Sequence, residues 1–256
     1  NGQIIYGKYL ISGTYGPGYV NGTGGGWFYQ NGTLNILPIP TGYNSGQIVD
    51  VKNTGVAYGF LTTNNNIMIG FEYINGNTQI INFPNAKSSY VTDTSADGSV
   101  VIGSYTDSNN LSHSYVYRSG VYSEFHFNAN DTSQVMEISG DGSTIYGTSR
   151  DINNNIKYYL SKNGVLTEIN QTTIPNPYIM SMSNDGSIAV GGSYSTTTNT
   201  SSAFYLKNGI ITPIYIANAK TVQITGTSSD ESIIRGYYTD NQNIMHGFLS
   251  INGTIK

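Results

Sequence analysis

Cysteine is absent from these 256 residues, so no disulfide framework, thiolate nucleophile or Cys-ligated zinc site can exist. Charge is scarce as well. Only 10% of residues are charged, and 11 Lys and Arg stand against 15 Asp and Glu, a net charge of −4. With no basic patch to displace counterions from phosphate, nucleic acid is excluded as a partner. No apolar run approaches the roughly 18–20 residues of a membrane helix, so no membrane span is expected. Only 3 His and 1 Trp are present. From Asn1 onward no signal peptide is read, and the chain opens inside a turn signal, Asn1-Gly2, as a processed or trimmed chain would.

What the chain does have is Tyr, Gly and Asn. The 22 Tyr and 8 Phe supply large side chains to bury, and a composition rich in aromatics and poor in charge is not that of a disordered chain. Solubility then rests on Asn, Ser, Thr and Gly, a surface common on secreted and surface-exposed β proteins.

A repeat organises everything else. Turn glycines at Gly32, Gly76, Gly120, Gly164, Gly209 and Gly253 lie 44, 44, 44, 45 and 44 residues apart. Five follow Asn (Asn31, Asn75, Asn163, Asn208, Asn252) and one follows Ser119. Asn-Gly between apolar runs is a strong hairpin signal, because both central residues of a type I′ turn need positive φ. A second glycine series, Gly7, Gly59, Gly103, Gly147, Gly191 and Gly236, sits within the preceding apolar run. A third, Gly2, Gly55, Gly98, Gly142 and Gly186, marks an earlier turn, with Glu231 at its sixth position.

These marks cut each repeat into four short segments rich in Val, Ile, Tyr and Thr, which read as strands. In the third repeat they are 90–96, 99–106, 113–118 and 121–127. No segment keeps a 3.6-residue apolar period, so helix is not expected. Four strands in about 44 residues, repeated six times, predict an all-β, six-bladed β-propeller formed as one domain over 1–256. Because the chain starts on the second strand of a unit and stops just after the third strand of another, the last blade is expected to be incomplete. Four residues before each Asn or Ser of the turn stands an aromatic: Trp27, Phe71, Tyr115, Tyr159, Phe204 or Phe248. Blades must bury their faces against neighbours, so these are expected in the core rather than on a ligand.

Candidate functional positions are few. A Gly-rich insertion around Thr14–Gly26 stretches the Gly7-to-Trp27 interval to 20 residues, against 12 from Gly103 to Tyr115. It carries Tyr15 and Tyr19, and loops that leave a scaffold are where function concentrates. Five residues before the third-series turn stand Asp50, Asp93, Glu137, Ser181 and Gly226. If these strands line a central channel, Asp50, Asp93 and Glu137 would face one another near its mouth, attracting a cation or raising one another's pKa. A solvated strand face or a turn partner is the plainer reading of the same residues.

The Asn-rich loops fail the test for a calcium-binding EF-hand. After the Asp151-x-Asn-x-Asn opening, the sixth and twelfth positions should be Gly and Glu but are Ile156 and Lys162. The loop at Asp107 has Ser112 at its sixth position. No metal site or cofactor is expected beyond loose calcium binding by single loops, and Asp and Asn are read as turn formers. His113 and His246 occupy equivalent repeat positions, and no nucleophile, phosphate-loop or paired-His motif appears. Enzyme activity is not expected. The sequons at Asn21, Asn31, Asn110, Asn130, Asn170, Asn199 and Asn252 are what an Asn- and Thr-rich chain produces by chance.

The phrase Ser232-Ile233-Ile234-Arg235-Gly236-Tyr237-Tyr238-Thr239-Asp240, followed by His246-Gly247-Phe248-Leu249, resembles the extracellular HAF-type repeat of bacterial exported proteins. The same pattern recurs at 97–120 and, more loosely, over nearly the whole chain. Departures are Glu231 at a turn Gly, Ser119 at a turn Asn, a loop at 195–202 without Asp, and Asn for the usual loop Gly. The resemblance implies a propeller-like repeat protein outside the cytoplasm and carries no catalytic residues. The expected role is a non-enzymatic recognition or scaffold module, extracellular or on the cell surface, with a glycan or protein partner. The alternative is a structural subunit of a fibre, appendage or virion that self-assembles by strand donation to the incomplete blade.

Overall fold

A computed structural model describes residues 4–10, 14–16, 19–21, 24–128, 132–169, 176–195, 197–207, 209–228 and 230–256. Its contacts divide the chain into two compact units, 1–126 with 132–136, and 127–131 with 137–256. Among the described residues there is no helix, and 25 strands run in sequence order.

In the first unit, β1 (Ile5–Leu10), β4 (Gly24–Gln30) and β5 (Thr33–Ile36) form a three-stranded antiparallel sheet. Between β1 and β4, the insertion folds as its own hairpin of β2 (Thr14–Gly16) and β3 (Tyr19–Asn21). Four-stranded meanders follow. One runs through β6 (Tyr43–Val51), β7 (Ala57–Thr63), β8 (Met68–Ile74) and β9 (Asn77–Ile81). It is bridged to the first sheet by a single parallel pair, Gly24 with Ser45. The next runs through β10 (Ser88–Thr94), β11 (Val100–Thr106), β12 (Ser112–Arg118) and β13 (Val121–Phe125), within two residues of each boundary expected from sequence.

The chain continues through β14 (Thr132–Ile138), β15 (Thr144–Arg150), β16 (Ile156–Lys162) and β17 (Val165–Glu168), again one sheet. In the second unit come β18 (Pro177–Met182), β19 (Ile188–Ser195), β20 (Thr200–Lys207) and β21 (Ile210–Pro213). The last sheet is β22 (Ala219–Thr227), β23 (Ile233–Asp240), β24 (Met245–Ile251) and β25 (Thr254–Ile255). All four strands of the last sheet are present, but its fourth is only two residues long, against four for β21. The last sheet therefore does not stop after a third strand as expected; the sheet with three strands is the first, β1, β4 and β5.

The third-to-fourth strand hairpins take the geometry their sequence demands. Asn31, Asn75, Ser119, Asn163 and Asn252 have φ between 48° and 50°, and the glycines after them lie at 78–85°. That is the type I′ turn, whose twist matches the strands it joins. Gly209 takes φ 77° at the same place, while Asn208 lies outside the described residues.

Hydrophobic clusters fill the space between successive sheets. In the first unit Phe28, Leu37, Ile48, Val51, Leu61 and Phe71 pack together, and in the second Val190, Ile214, Val222, Ile224, Ile234 and Phe248 do so. Of the six repeat aromatics, Phe71, Tyr115, Tyr159, Phe204 and Phe248 are buried and Trp27 is half-buried. They are core residues, as expected.

Candidate functional site

In four of the four-stranded sheets the first strand carries a defect in its pairing with the second. The register slips between Ile48 and Asp50, Val91 and Asp93, Ile179 and Ser181, and Ile224 and Gly226. A β-bulge inserts one unpaired residue and re-aims the side chains around it. Four of the positions singled out from sequence, Asp50, Asp93, Ser181 and Gly226, are therefore the residues just after a bulge, a feature the apolar pattern does not reveal.

In the first unit this places Asp50 against the following sheet. Its Oδ2 accepts a hydrogen bond of 2.9 Å from Thr94 Oγ1 and forms an ion pair with Lys52 Nζ. Lys52 is buried, and its ammonium also donates to Thr94 O at 2.9 Å. A buried Lys is tolerated only when paired, and here it has both a carboxylate and a carbonyl. Nothing in the sequence pattern identified Lys52. Asp93 takes the backbone N–H of Thr94 on its Oδ1 at 2.8 Å. Glu137 is half-buried on β14.

Among the described residues, no three His, Asp or Glu side chains come together in a way that could hold a metal ion. The expected three-carboxylate cation cluster is therefore not assembled. Asp50 instead pairs with Lys52 and accepts from Thr94, and Asp93 accepts its neighbour's backbone N–H.

The second unit contains a feature that the sequence showed only as a departure from a turn glycine. Glu231 has φ 57°, the left-handed conformation held by Gly55, Gly98, Gly142 and Gly186 at the same repeat position. A non-glycine residue there costs about 1–2 kcal/mol. Its side chain is nonetheless buried, at 2% exposure. Ser181 Oγ, on the preceding sheet, donates to Glu231 Oε1 at 2.8 Å, and Thr227 Oγ1 donates to Ser181 Oγ at 3.1 Å. Glu231 Oε2 is buried with no hydrogen-bond partner among the described residues. Burial pushes the carboxyl above its ordinary value, and Asp230 nearby adds to the shift, against the lowering effect of the Ser181 and Thr227 hydroxyls.

Other carboxylates serve the backbone. In the turn after the first strand, Ser95 Oγ and the N–H of Ser99 both donate to Asp97 Oδ1, at 2.7 and 2.9 Å. The same arrangement recurs at Ser139–Asp141, Ser183–Asp185 and Ser228–Asp230. The backbone N–H of Ser99 is the main reason Asp97 sits at about 2. In the Asn-rich loops, Asp107, Asp151 and Asp240 each accept two backbone N–H groups on Oδ1. They are turn formers. The second oxygens of Asp107 and Asp240 meet His113 Nε2 at 3.3 Å and His246 Nε2 at 2.9 Å, and each imidazole stacks on a Tyr, Tyr105 or Tyr238. His126 lies 3.5 Å from Glu124.

Tyr15 and Tyr19 belong to the inserted hairpin, opposite Val20 and Gly16 respectively. Elsewhere Tyr194 is half out in solvent and its hydroxyl donates to Asn199 Oδ1 at 2.5 Å, while Tyr215 is 82% exposed.

No family model matches this chain, and no curated protein matches it either. Solved structures do. It is similar to putative TolB from Agrobacterium tumefaciens, with TM-score 0.54 and 13% identity over 88% of this chain and 83% of that one. TolB from Acinetobacter baumannii aligns with TM-score 0.52 and 9% identity, over 99% of this chain and 67% of that one. The β-propeller domain of the Trilobed protease from Pyrococcus furiosus, described as having an open velcro topology, gives TM-score 0.54 and 11% identity. It is covered over 70%, by 82% of this chain. At such low identity these likenesses speak to architecture alone, and with the repeated four-stranded sheets they show that this chain is a β-propeller.

Proposed function

We propose that this β-propeller is a non-enzymatic recognition module working outside the cytoplasm, with a glycan as its partner. The observation that carries this reading is the contrast between its Asp residues and its Tyr and Asn residues. Nearly every Asp with a defined contact is tied to a backbone N–H, a hydroxyl, a His or a Lys of the scaffold. The inserted hairpin adds Tyr15 and Tyr19 to the chain between β1 and β4, and at Tyr194–Asn199 an exposed ring meets an amide, and the repeat requires neither. A Tyr ring suits the apolar face of a sugar, and an amide suits its hydroxyls. The resemblance of residues 230–253 to the HAF-type repeat supports an exported location.

A glycan array probed with the wild-type chain and with a Tyr15→Ser/Tyr19→Ser variant tests this. Binding to a defined glycan set that the variant loses is the expected result. An array without signal, together with binding of a protein from the same surface that survives the double substitution, would overturn the glycan assignment.

A further inference from the structure

Two equivalent seams between successive sheets are built alike, and one lacks a charge that the other has. In the first, Thr94 on one sheet donates to Asp50 on the sheet before it. In the second, Thr227 donates to Ser181 in the same way. Thr94 and Thr227 hold the same repeat position, four residues before Gly98 and Glu231. Each seam contains a carboxylate, supplied by Asp50 in the first and by Glu231 in the second. The first also contains a cation, the buried ammonium of Lys52. The position matching Lys52, three residues before the turn, is Ser183 on the preceding sheet of the second seam, whose hydroxyl is already given to Asp185.

Glu231 thus presents a buried carboxylate with one oxygen hydrogen-bonded and the other without a partner among the described residues. It does so from a left-handed backbone conformation that four other repeats reserve for glycine. A strained residue whose side chain is also unsatisfied is doubly unfavourable, and such outliers gather where something is bound. We propose that the seam between β18 and β22 is a binding site for a small monovalent cation, held by Glu231 with Ser181 and Thr227 at its edge. That cation would take the role that Lys52 fills in the equivalent seam. Its chemistry is that of an alkali ion or a primary ammonium.

Thermal unfolding of the intact chain near neutral pH, at constant ionic strength, is the test. Sodium, potassium, ammonium or methylammonium chloride is compared with tetramethylammonium chloride, whose cation is too large and cannot donate hydrogen bonds. The expected result is a saturable rise in midpoint, on the order of 5 °C at concentrations far above Kd. That rise should vanish in both Glu231→Gln and Glu231→Gly. A response to ammonium and methylammonium alone assigns the site to amines, and a response to sodium or potassium assigns it to an inorganic ion. Equal midpoints in all five salts would overturn the proposal. So would a salt difference that persists in Glu231→Gln, or a midpoint that responds only to pH, since the site would then take up a proton and nothing more. Because Glu231→Gly restores the residue of the other repeats, it is expected to fold, and its loss of response is interpretable.

Discussion

The ring of Phe248 lies where a side chain on Gly236 would have to be. The two residues face each other in register on β23 and β24, and a Cβ at Gly236 would come within 2.6 Å of Phe248 Cε1 and closer still to the carbonyl of Gln223. The same register pairs Gly7 with Trp27, Gly59 with Phe71, Gly103 with Tyr115, Gly147 with Tyr159 and Gly191 with Phe204. The second glycine series and the repeat aromatics are therefore one device. A strand gives up its side chain so that the neighbouring ring can cover its backbone.

Gly236→Ala should destabilise the chain by about 2–3 kcal/mol, since overpacking a filled core costs about that much and the carbonyl of Gln223 cannot move aside cheaply. Phe248→Ala should cost about 3–5 kcal/mol. Denaturant midpoints of the two single variants and the double variant check this. The double variant should be less destabilised than the sum of the singles, because the added methyl then has room. Strict additivity would mean that ring and glycine are not coupled.

Lys52→Met should cost about 3 kcal/mol, because it leaves Asp50 without its buried counter-charge. Adding Asp50→Asn to it should recover much of the loss. Chemical denaturation of the three proteins decides, and a Lys52→Met protein as stable as wild type would remove the ion pair from the stability account.

At Glu231, substitution by Gly should raise stability by about 1–2 kcal/mol through relief of the left-handed backbone alone. The gain should grow with pH. A carboxyl whose folded value is raised binds its proton more tightly when folded, so its stabilising share is present in acid and lost as pH rises through the folded value. Comparing wild type with Glu231→Gly across the carboxylate range in tetramethylammonium salts isolates this term.

Asp97 should show the opposite sign. Its carboxyl is held at about 2 by the N–H of Ser99 and the hydroxyls of Ser95 and Ser99. Its contribution is therefore present at neutral pH and lost as pH falls through that value. Asp97→Asn should lower the unfolding midpoint at neutral pH, with the gap to wild type closing in strong acid.

Ser119 occupies with φ 49° a turn position that Asn holds in four of the other described repeats. Asn tolerates this conformation better, so Ser119→Asn should stabilise by less than about 1 kcal/mol. Equilibrium unfolding of the single variant measures it.

The repeat, its strand order and its turns were legible because they rest on local chemistry. Asn-Gly selects a type I′ turn within two residues, and a strand of Val, Ile and Tyr declares itself in seven. Tyr115 and Phe204 could be assigned to the core from spacing alone, since one position in every 44 must fill the same gap. The carboxylate series reads from sequence either as facing one another in a channel or, more plainly, as strand-face and turn partners; neither reading names Lys52 and Thr94 as the company of Asp50. The bulges that aim these side chains leave no mark in the apolar pattern, because one extra residue changes neither composition nor the spacing of the turn glycines.

By itself, the amino-acid sequence determined that this chain is a six-fold repeat of short strands joined by Asn-Gly hairpins, because those features depend on φ, on side-chain shape and on neighbours a few residues away. The tertiary structure alone decided that Lys52 is buried beside Asp50 and that Glu231 reaches Ser181 from a turn meant for glycine. Thr94 joins Lys52 and Asp50, and Glu231 joins Ser181, from 42 to 50 positions away in sequence, and burial sets the energies of these contacts. The same carboxylate is an ordinary surface group in water and an unsatisfied charge in a seam, and only the packing of one sheet on the next tells the two apart.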